Sequence, residues 1–531
     1  MTSTQTSETE ATAGGLPPAI AEALASGTLQ SWWAQQIPDA PMVLSDRGNR
    51  TWAEMDSRAN QLVRALRSRG VRTGDAIALI CSNRPEFLEV VCAAQRSGLR
   101  LTPVNWHLTA AEAAYVVDDC EATALVVEDR FVAAAVGSLN PRLVARLSLG
   151  DVEGFDDYEA AVSVESSDAL PDPSLGSSMM YTSGTTGRPK GVSRPQQPPS
   201  GQTSGTGTLV AANPYVPGKD LNLVTGPLYH AAPLVFSFSL PTLMGAGVVL
   251  MDGWDAEEAL ALVARHGVTH THMVPTMFHR LLSLPQPVRD SYDLSSLRSV
   301  WHGAAPCPVP VKQALIEWLG PVVLEYYAAT EGVGCVVDSE QWLARPGTVG
   351  RPEDEQVRVF DDEGNDAGPG VVGTVYLKAP DEGRFEYHGA PEKTAGAYRD
   401  NYFTLGDVGF LDADGWLYLT DRSANLIISG GVNIYPAEVE AVLITHPDVG
   451  DVGVIGVPND EWGEEVKAVV ELQPGVEARD GLEAELIRHC REHLASFKVP
   501  RSVDFIAQLP RADNGKLYKE SLRAQYRAAR G

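Results

Sequence analysis

The stretch YTSGTTGRPKG, residues 181–191, decides how this chain is read. Met179, Met180 and Tyr181 lead into it as an apolar run that predicts a strand. Thr182, Ser183, Gly184, Thr185, Thr186 and Gly187 follow, all small or hydroxylated. Glycines let backbone N–H groups come close to an anion and adopt positive φ. The hydroxyls of Ser183, Thr185 and Thr186 add donors, and Arg188 and Lys190 add positive charge. The stretch therefore predicts a phosphate cradle. It is not a Walker A loop, which needs Gly-Lys-Ser/Thr running into a helix. Here Pro189 precedes Lys190, Gly191 follows it, and Val192-Ser193 look extended. A glycine-rich turn between strands is the plainer reading, and it suits a lone GxxG better than this longer combination.

Size and composition narrow the function. A chain of 531 residues implies two or more domains. A net charge of −27 argues against nucleic acid or anionic membranes as general partners, so an anion site has to be made locally. Six cysteines lie scattered with no CxxC pair, which points to a reducing, cytoplasmic setting. No apolar run reaches transmembrane length, so no integral membrane segment is expected. The polar opening MTSTQTSETEATAG has no signal-peptide core, and residues 1–28 read as a disordered tail.

Moving outward, residues 29–69 show helical spacing, with Trp52, Met55, Ala59, Leu62, Ala65 and Leu66 on one face. Residues 75–81, 101–104 and 124–127 read as strands, alternating with helices at 85–97 and 110–118. That alternation predicts parallel pairing in an α/β layer fold. Residues 194–220, rich in Pro, Gly, Ser, Thr and Gln, read as a long loop. Residues 223–229 read as a strand ending at His230. His270 and His272 alternate on a strand, and His266 and His279 lie near in sequence; a structural role suits them better than a zinc site with its full ligand set. Residues 347–352 and 373–379 read as further β segments.

The motif SGTTGxPKG, with Tyr181-Thr182 before it, resembles the signature loop of the adenylate-forming superfamily. That group comprises acyl- and aryl-CoA synthetases, peptide-synthetase adenylation domains and luciferases. The resemblance runs from about residue 30 to residue 525, with the motifs in the family's order. Around residues 301–331 it is nearest to synthetases for long-chain or bulky acids. It implies an α/β fold: a large multi-sheet N-terminal domain, residues 29–422, and a small mobile α+β C-terminal domain, residues 426–531. Residues 423–425 would be the hinge. Ala424 stands where the family usually has Asp or Lys.

By the same resemblance, the chain uses ATP, Mg2+ and CoA and activates a small-molecule carboxylic acid. Thr182, Ser183, Gly184, Thr186, Gly187 and Lys190 would hold phosphates, with Thr185 in a catalytic role. His230, next to Tyr229, would lie beside the acyl carboxylate. Gly303, Ala304, Ala305 and Pro306 match the segment that passes under adenine. Tyr326, Tyr327, Thr330 and Glu331 match a Tyr-Gly-x-Thr-Glu pattern, with Ala328 replacing Gly. An aromatic ring offers a stacking face for a purine, and Glu331 is a hard oxygen ligand suited to Mg2+. Asp407 would accept ribose hydroxyls, with Arg422 as a second contact. Gly430 and Gly431 would line the pantetheine path, and Lys516, after Asp513-Asn514-Gly515, would be the adenylation lysine. Alternatives are an adenylation-only enzyme that hands acyl-AMP to a carrier protein or partner enzyme, and a non-catalytic binding relative. No nucleic acid partner is expected, and a homodimer is compatible with the resemblance.

Overall fold

The structure, a computed structural model, describes residues 16–182, 189–193, 209–210, 212–361, 363–380, 384–422, 425–429, 432–459, 461–512 and 515–528. The chain divides into two compact units. One comprises Met1–His272, Asp293–Ser299 and Pro380–Gly396; the other comprises Met273–Tyr292, Val300–Ala379 and Ala397–Gly531.

In the first unit, six strands form a wholly parallel sheet in the order Asp156–Asp157, Ala145–Leu149, Ala122–Glu128, Ala76–Ile80, Arg100–Pro103, Ser177–Ser178. Every residue of Ala76–Ile80 is buried, which is why this strand reads as an unbroken apolar run. Helix Pro85–Ser97 begins on a proline, whose fixed φ suits a first turn, and ends at Gly98 in the left-handed region. Helix Trp52–Ser68 starts with a capping box: Glu54 N–H donates to the Thr51 hydroxyl, and Thr51 N–H donates to the Glu54 carboxylate. Its apolar face is buried against the same core.

A second sheet of this unit runs His270–Met273, Leu221–Val224, Gly247–Leu250, Pro41–Leu44, with Arg50–Thr51 as an antiparallel edge. His270 stacks on Tyr215 at 4.0 Å and His272 on Phe236 at 5.3 Å. Burial lowers their imidazoles to about 4 and about 3, so both sit as neutral packing groups. A third, antiparallel ribbon joins Glu386–Tyr387, Lys190–Ser193 and Met180–Thr182.

Three expectations need correcting here. Residues 16–28 are not a disordered tail: Pro18–Ala25 is a helix, and Ile20 and Ala23 enter the core at 1% and 5% exposure. Residues 29–69 are not continuously helical. The helix Leu29–Gln36 ends before Pro38, and Pro41–Leu44 and Arg50–Thr51 are strands. The strand expected over 223–229 ends at Val224 ahead of Gly226-Pro227, and a π-helical stretch, Pro233–Ser239, follows.

In the second unit, Ser299–His302 and Val323–Ala329 pair in parallel, and Val323–Ala329 turns back antiparallel into Gly332–Val337. Thr330 and Glu331 therefore occupy the turn of a hairpin whose return strand was not expected. Val357–Phe360, Gly373–Lys378, Tyr402–Leu411 and Leu417–Arg422 form an antiparallel sheet in that order, with Tyr398–Arg399 also paired to Tyr402–Leu411. Among the described residues, 347–352 contribute a single bridge, Gly350 to Leu417, and no strand.

The C-terminal part is α+β. Val432–Ile434, Ile427–Ser429, Gly463–Leu472 and Val449–Asn459 form a sheet, and Ser502–Ile506 adds in parallel. Helices Pro436–Leu443 and Leu482–His493 bury Val439, Leu443, Leu482 and Leu486 in a core with Ile427, Ile434 and Val454. The fold is thus mixed α/β, with a large N-terminal part and a smaller C-terminal one.

Candidate active site

Asp407 lies on strand Tyr402–Leu411, directly opposite Arg422 in the register. The Tyr327 hydroxyl donates to its Oδ2 at 2.8 Å, and the Arg422 Nε–H donates to its Oδ1 at 3.0 Å. The carboxylate is buried, at 7% exposure, and its two oxygens are held apart by separate donors. Burial and this carboxylate push the Tyr327 hydroxyl far above its usual range, so it stays a donor.

Lys516 shares this neighbourhood. Burial and the Arg422 cation lower its ammonium from 10.5 to about 8, against the opposing pull of Asp407 and Glu331. Its segment is braced. Arg511 makes a two-pronged contact with Asp451, Nε to Oδ2 at 2.5 Å and Nη2 to Oδ1 at 2.7 Å, and donates from Nη1 to the Gly515 carbonyl at 2.8 Å. Ala512 N–H donates to the Lys516 carbonyl at 2.8 Å. Gly515 has φ +77°, and a Cβ there would stand 2.8 Å from Val274 and Thr276. Only glycine allows the lysine to be presented so closely.

Gly303, which directly follows strand Ser299–His302, packs on Tyr326: a Cβ on it would lie 2.6 Å from the ring. Ala304 takes φ 67°, a conformation that costs on the order of 1 kcal/mol for a residue with a side chain. Ala304 and Pro306 are exposed, and Ala305 is half-buried. Tyr326 and Tyr327 are 4% and 7% exposed, so neither ring lies open to solvent. Thr330 is half-buried at the hairpin turn, beside Glu331. Glu331 is 8% exposed and close enough to Lys516 for its charge to be felt there. A single hard carboxylate donor is what Mg2+ accepts beside phosphate oxygens and water, so Glu331 fits that role.

In the first unit, Thr182 and Lys190 are cross-strand partners, which places the two ends of the signature stretch side by side. The Lys190 ammonium lies 6.0 Å from the Tyr387 ring and close enough to Lys393 for that charge to be felt there. Burial and that second cation lower it to about 8. The half-buried His230 ring is tilted against Tyr229 at 4.5 Å, and the Tyr229 hydroxyl lies 3.2 Å from His107 Nδ1. Ser183, Gly184, Thr185, Thr186, Gly187, the hinge residue Ala424, and Gly430 and Gly431 lie outside the described residues.

The structure therefore gathers Tyr327, Glu331, Asp407, Arg422 and Lys516 into one polar cluster. Such a cluster offers what a nucleotide needs: a carboxylate with free lone pairs for hydroxyls, and cations for phosphates. Motif reading did not single out Arg511 and Asp451, and no local pattern could have linked residues 60 apart. His107, in the loop between strand Arg100–Pro103 and helix Ala110–Asp119, was likewise not anticipated.

The chain is similar to known proteins over most of its length. The family model described as AMP-binding enzyme matches residues 30–383, and that described as AMP-binding enzyme C-terminal domain matches residues 438–516. A feruloyl-CoA synthase from an Amycolatopsis species is 34% identical over 497 residues, covering 93% of this chain and 97% of that protein. A fatty acid–acyl-carrier-protein ligase, ScoC of Streptomyces coeruleorubidus, is 30% identical over 509 residues, covering 93% and 95%. Among solved structures, an anthranilate CoA ligase in complex with anthranoyl-AMP superposes with a TM-score of 0.82 at 25% identity, covering 94% of this chain and 98% of that one.

Proposed function

The chain belongs to the AMP-binding enzyme family, and on that premise we propose that it is an AMP-forming acid–thiol ligase whose working residues are those of the cluster around Asp407 and Lys516. It activates a carboxylic acid with ATP to give acyl-AMP and pyrophosphate, then transfers the acyl group to CoA. The observation that carries the residue assignment is the convergence on Lys516 of Arg422, Asp407 and Glu331.

The chemistry asks for positioning and charge neutralisation, not a protein nucleophile. A carboxylate oxygen of the acid attacks the α-phosphorus of ATP, and the bond to the β-phosphate oxygen breaks. In our reading Asp407 accepts the ribose hydroxyls, Arg422 holds it in place, and the Lys516 ammonium lies between the two anions as they approach. Losing one such contact costs about 2.7–4 kcal/mol of barrier. Glu331 would hold Mg2+, which supplies neutralising charge to the phosphates when bound. By the motif resemblance, Thr182 and Lys190, at the two ends of the signature stretch, would offer a hydroxyl and a cation to phosphates. In the second step the CoA sulfur attacks the acyl carbonyl, the thiol proton is lost to solvent, and AMP leaves as a phosphate anion. Residues 423–425 are read as the pivot on which the C-terminal part changes its task between steps.

We take the acid to be apolar and bulkier than acetate: the residues after His230, Ala231 and Ala232, are small and half-buried. The relatives act on ferulate, fatty acids and anthranilate, which fits that class. A carrier-protein thiol is the alternative acceptor, favoured by the likeness to an acyl-carrier-protein ligase. A cytoplasmic site is supported by six free cysteines, and among the described residues no helix is long and apolar enough to cross a membrane. The test is a panel of aryl and fatty acids with ATP, Mg2+ and CoA, following pyrophosphate and acyl-CoA together. Acid-dependent release of both is expected. Absence of acid-dependent pyrophosphate with every member would refute the reading, and acyl-AMP that accumulates in the presence of CoA would redirect it to another acceptor.

A further inference from the structure

One buried carboxylate lies just behind the residues assigned to the adenine segment. Glu325, on strand Val323–Ala329, stands directly opposite His302, the last residue of strand Ser299–His302. Its Oε2 accepts from the Lys312 ammonium at 2.6 Å and lies 3.6 Å from His302 Nε2. The side chains of Lys312 and His302 are 0% exposed and that of Glu325 is 7% exposed. Lys312 comes from helix Val309–Leu319, and its ammonium lies 4.7 Å over the Trp342 ring. The His302 ring meets the Phe278 edge at 5.1 Å. One oxygen thus bonds the Lys312 ammonium and lies beside the His302 ring, so three segments meet around it, and aromatic rings close the site on two sides.

The next residue along each strand is the significant one. Gly303 follows His302, Tyr326 follows Glu325, and these two residues are in contact face to ring. A buried ion pair is a poor way to add stability, because desolvation offsets most of the attraction; its attested use is to fix register. Here the register it fixes is that of residues 303–306 over Tyr326, and one residue beyond Tyr326 stands Tyr327, which donates to Asp407. We propose that Lys312, Glu325 and His302 are positioning residues for the adenosine end of ATP, one shared carboxylate holding the adenine segment and the Tyr326-Tyr327 pair in mutual register. This inference rests on the adenylating role set out above.

The double variant K312M/E325L removes both charges at similar volume, so the fold is not left with an unpaired buried ion. It is assayed beside wild-type protein for thermal unfolding and for pyrophosphate release, with ATP and the acid varied separately. Retained cooperative unfolding is expected, with KM for ATP raised roughly tenfold or more, since a small misplacement of a binding group has effects of that order. KM for the acid and kcat at saturating ATP should stay near wild type, a split that a general loss of structure does not produce. K312R alone, which keeps a cation on Glu325, should leave KM for ATP near the wild-type value. If the double variant does not fold, E325D decides instead: it keeps the charge, shortens its reach, and should raise KM for ATP alone. An unchanged KM for ATP in a folded variant, or equal losses for ATP and acid, overturns the inference. Absence of acid-dependent pyrophosphate release by wild-type protein overturns the adenylating role itself.

Discussion

Raising the pH from 7 to 9 should weaken the first half-reaction through Lys516. Its ammonium titrates at about 8, because burial and Arg422 outweigh Asp407 and Glu331. The pH dependence of kcat/KM reports ionisations of the free enzyme. With the charged lysine required, kcat/KM for ATP in pyrophosphate release should follow the protonated fraction. That fraction falls from about nine-tenths at pH 7 to about one-tenth at pH 9, a loss of roughly tenfold. A lysine left at 10.5 would lose almost nothing over the same interval. Lys190 also titrates at about 8, so the profile alone names no residue. Two substitutions separate them. Arg422→Gln removes a cation that lowers Lys516, and should shift the descending limb to higher pH even as it weakens ATP binding. Lys393→Gln removes the cation beside Lys190, and should leave the Lys516 limb where it was. Initial rates of pyrophosphate release at subsaturating ATP and constant ionic strength measure both. A profile flat between pH 7 and pH 9.5, or one that Arg422→Gln does not move, would refute the assignment.

Lys516→Met should abolish adenylation while making the protein more stable at neutral pH. The folded-state value of about 8 lies below the unfolded 10.5, so the folded form binds fewer protons between them and stability rises with pH across that window. Below 8 the buried cation costs about 3 kcal/mol, so the gain in thermal midpoint should be full at pH 7 and vanish by pH 10.5. Asp407→Asn should weaken ATP and AMP binding by about ten- to a hundredfold in calorimetric titration, since hydrogen bonds to a charged group contribute roughly 1.5–3 kcal/mol. Gly515→Ala forces a side chain into Val274 and Thr276 at positive φ. It should slow pyrophosphate release about a hundredfold through misplacement of Lys516, while thioester formation from added acyl-AMP continues; equal loss of both steps would sink the explanation.

Much was legible in local sequence, for identifiable reasons. Helix Pro85–Ser97 has the bounds its sequence implies, since a leading proline and a following glycine are local signals. Strand Ala76–Ile80 announced itself by an apolar run that only a strand buried on both faces carries. Helix Pro18–Ala25 was missed because a short, weakly patterned segment is held by the core that Ile20 and Ala23 enter, not by its own propensity. The hairpin return Gly332–Val337 was missed because Gly332 and Gly334 argue against a strand locally, while pairing with Val323–Ala329 overrides them.

The sequence by itself determined the chemistry: hydroxyls, glycines, a carboxylate and a lysine in a recognisable order specify an AMP-forming ligase, because residue type and spacing are written along the chain. The tertiary structure alone decided the ionisation of Lys516, the brace of Arg511 on Asp451, and the burial of Lys312 with Glu325 and His302. Charge energies depend on distance and on exclusion of water, and neither exists until segments remote in sequence have been folded against one another.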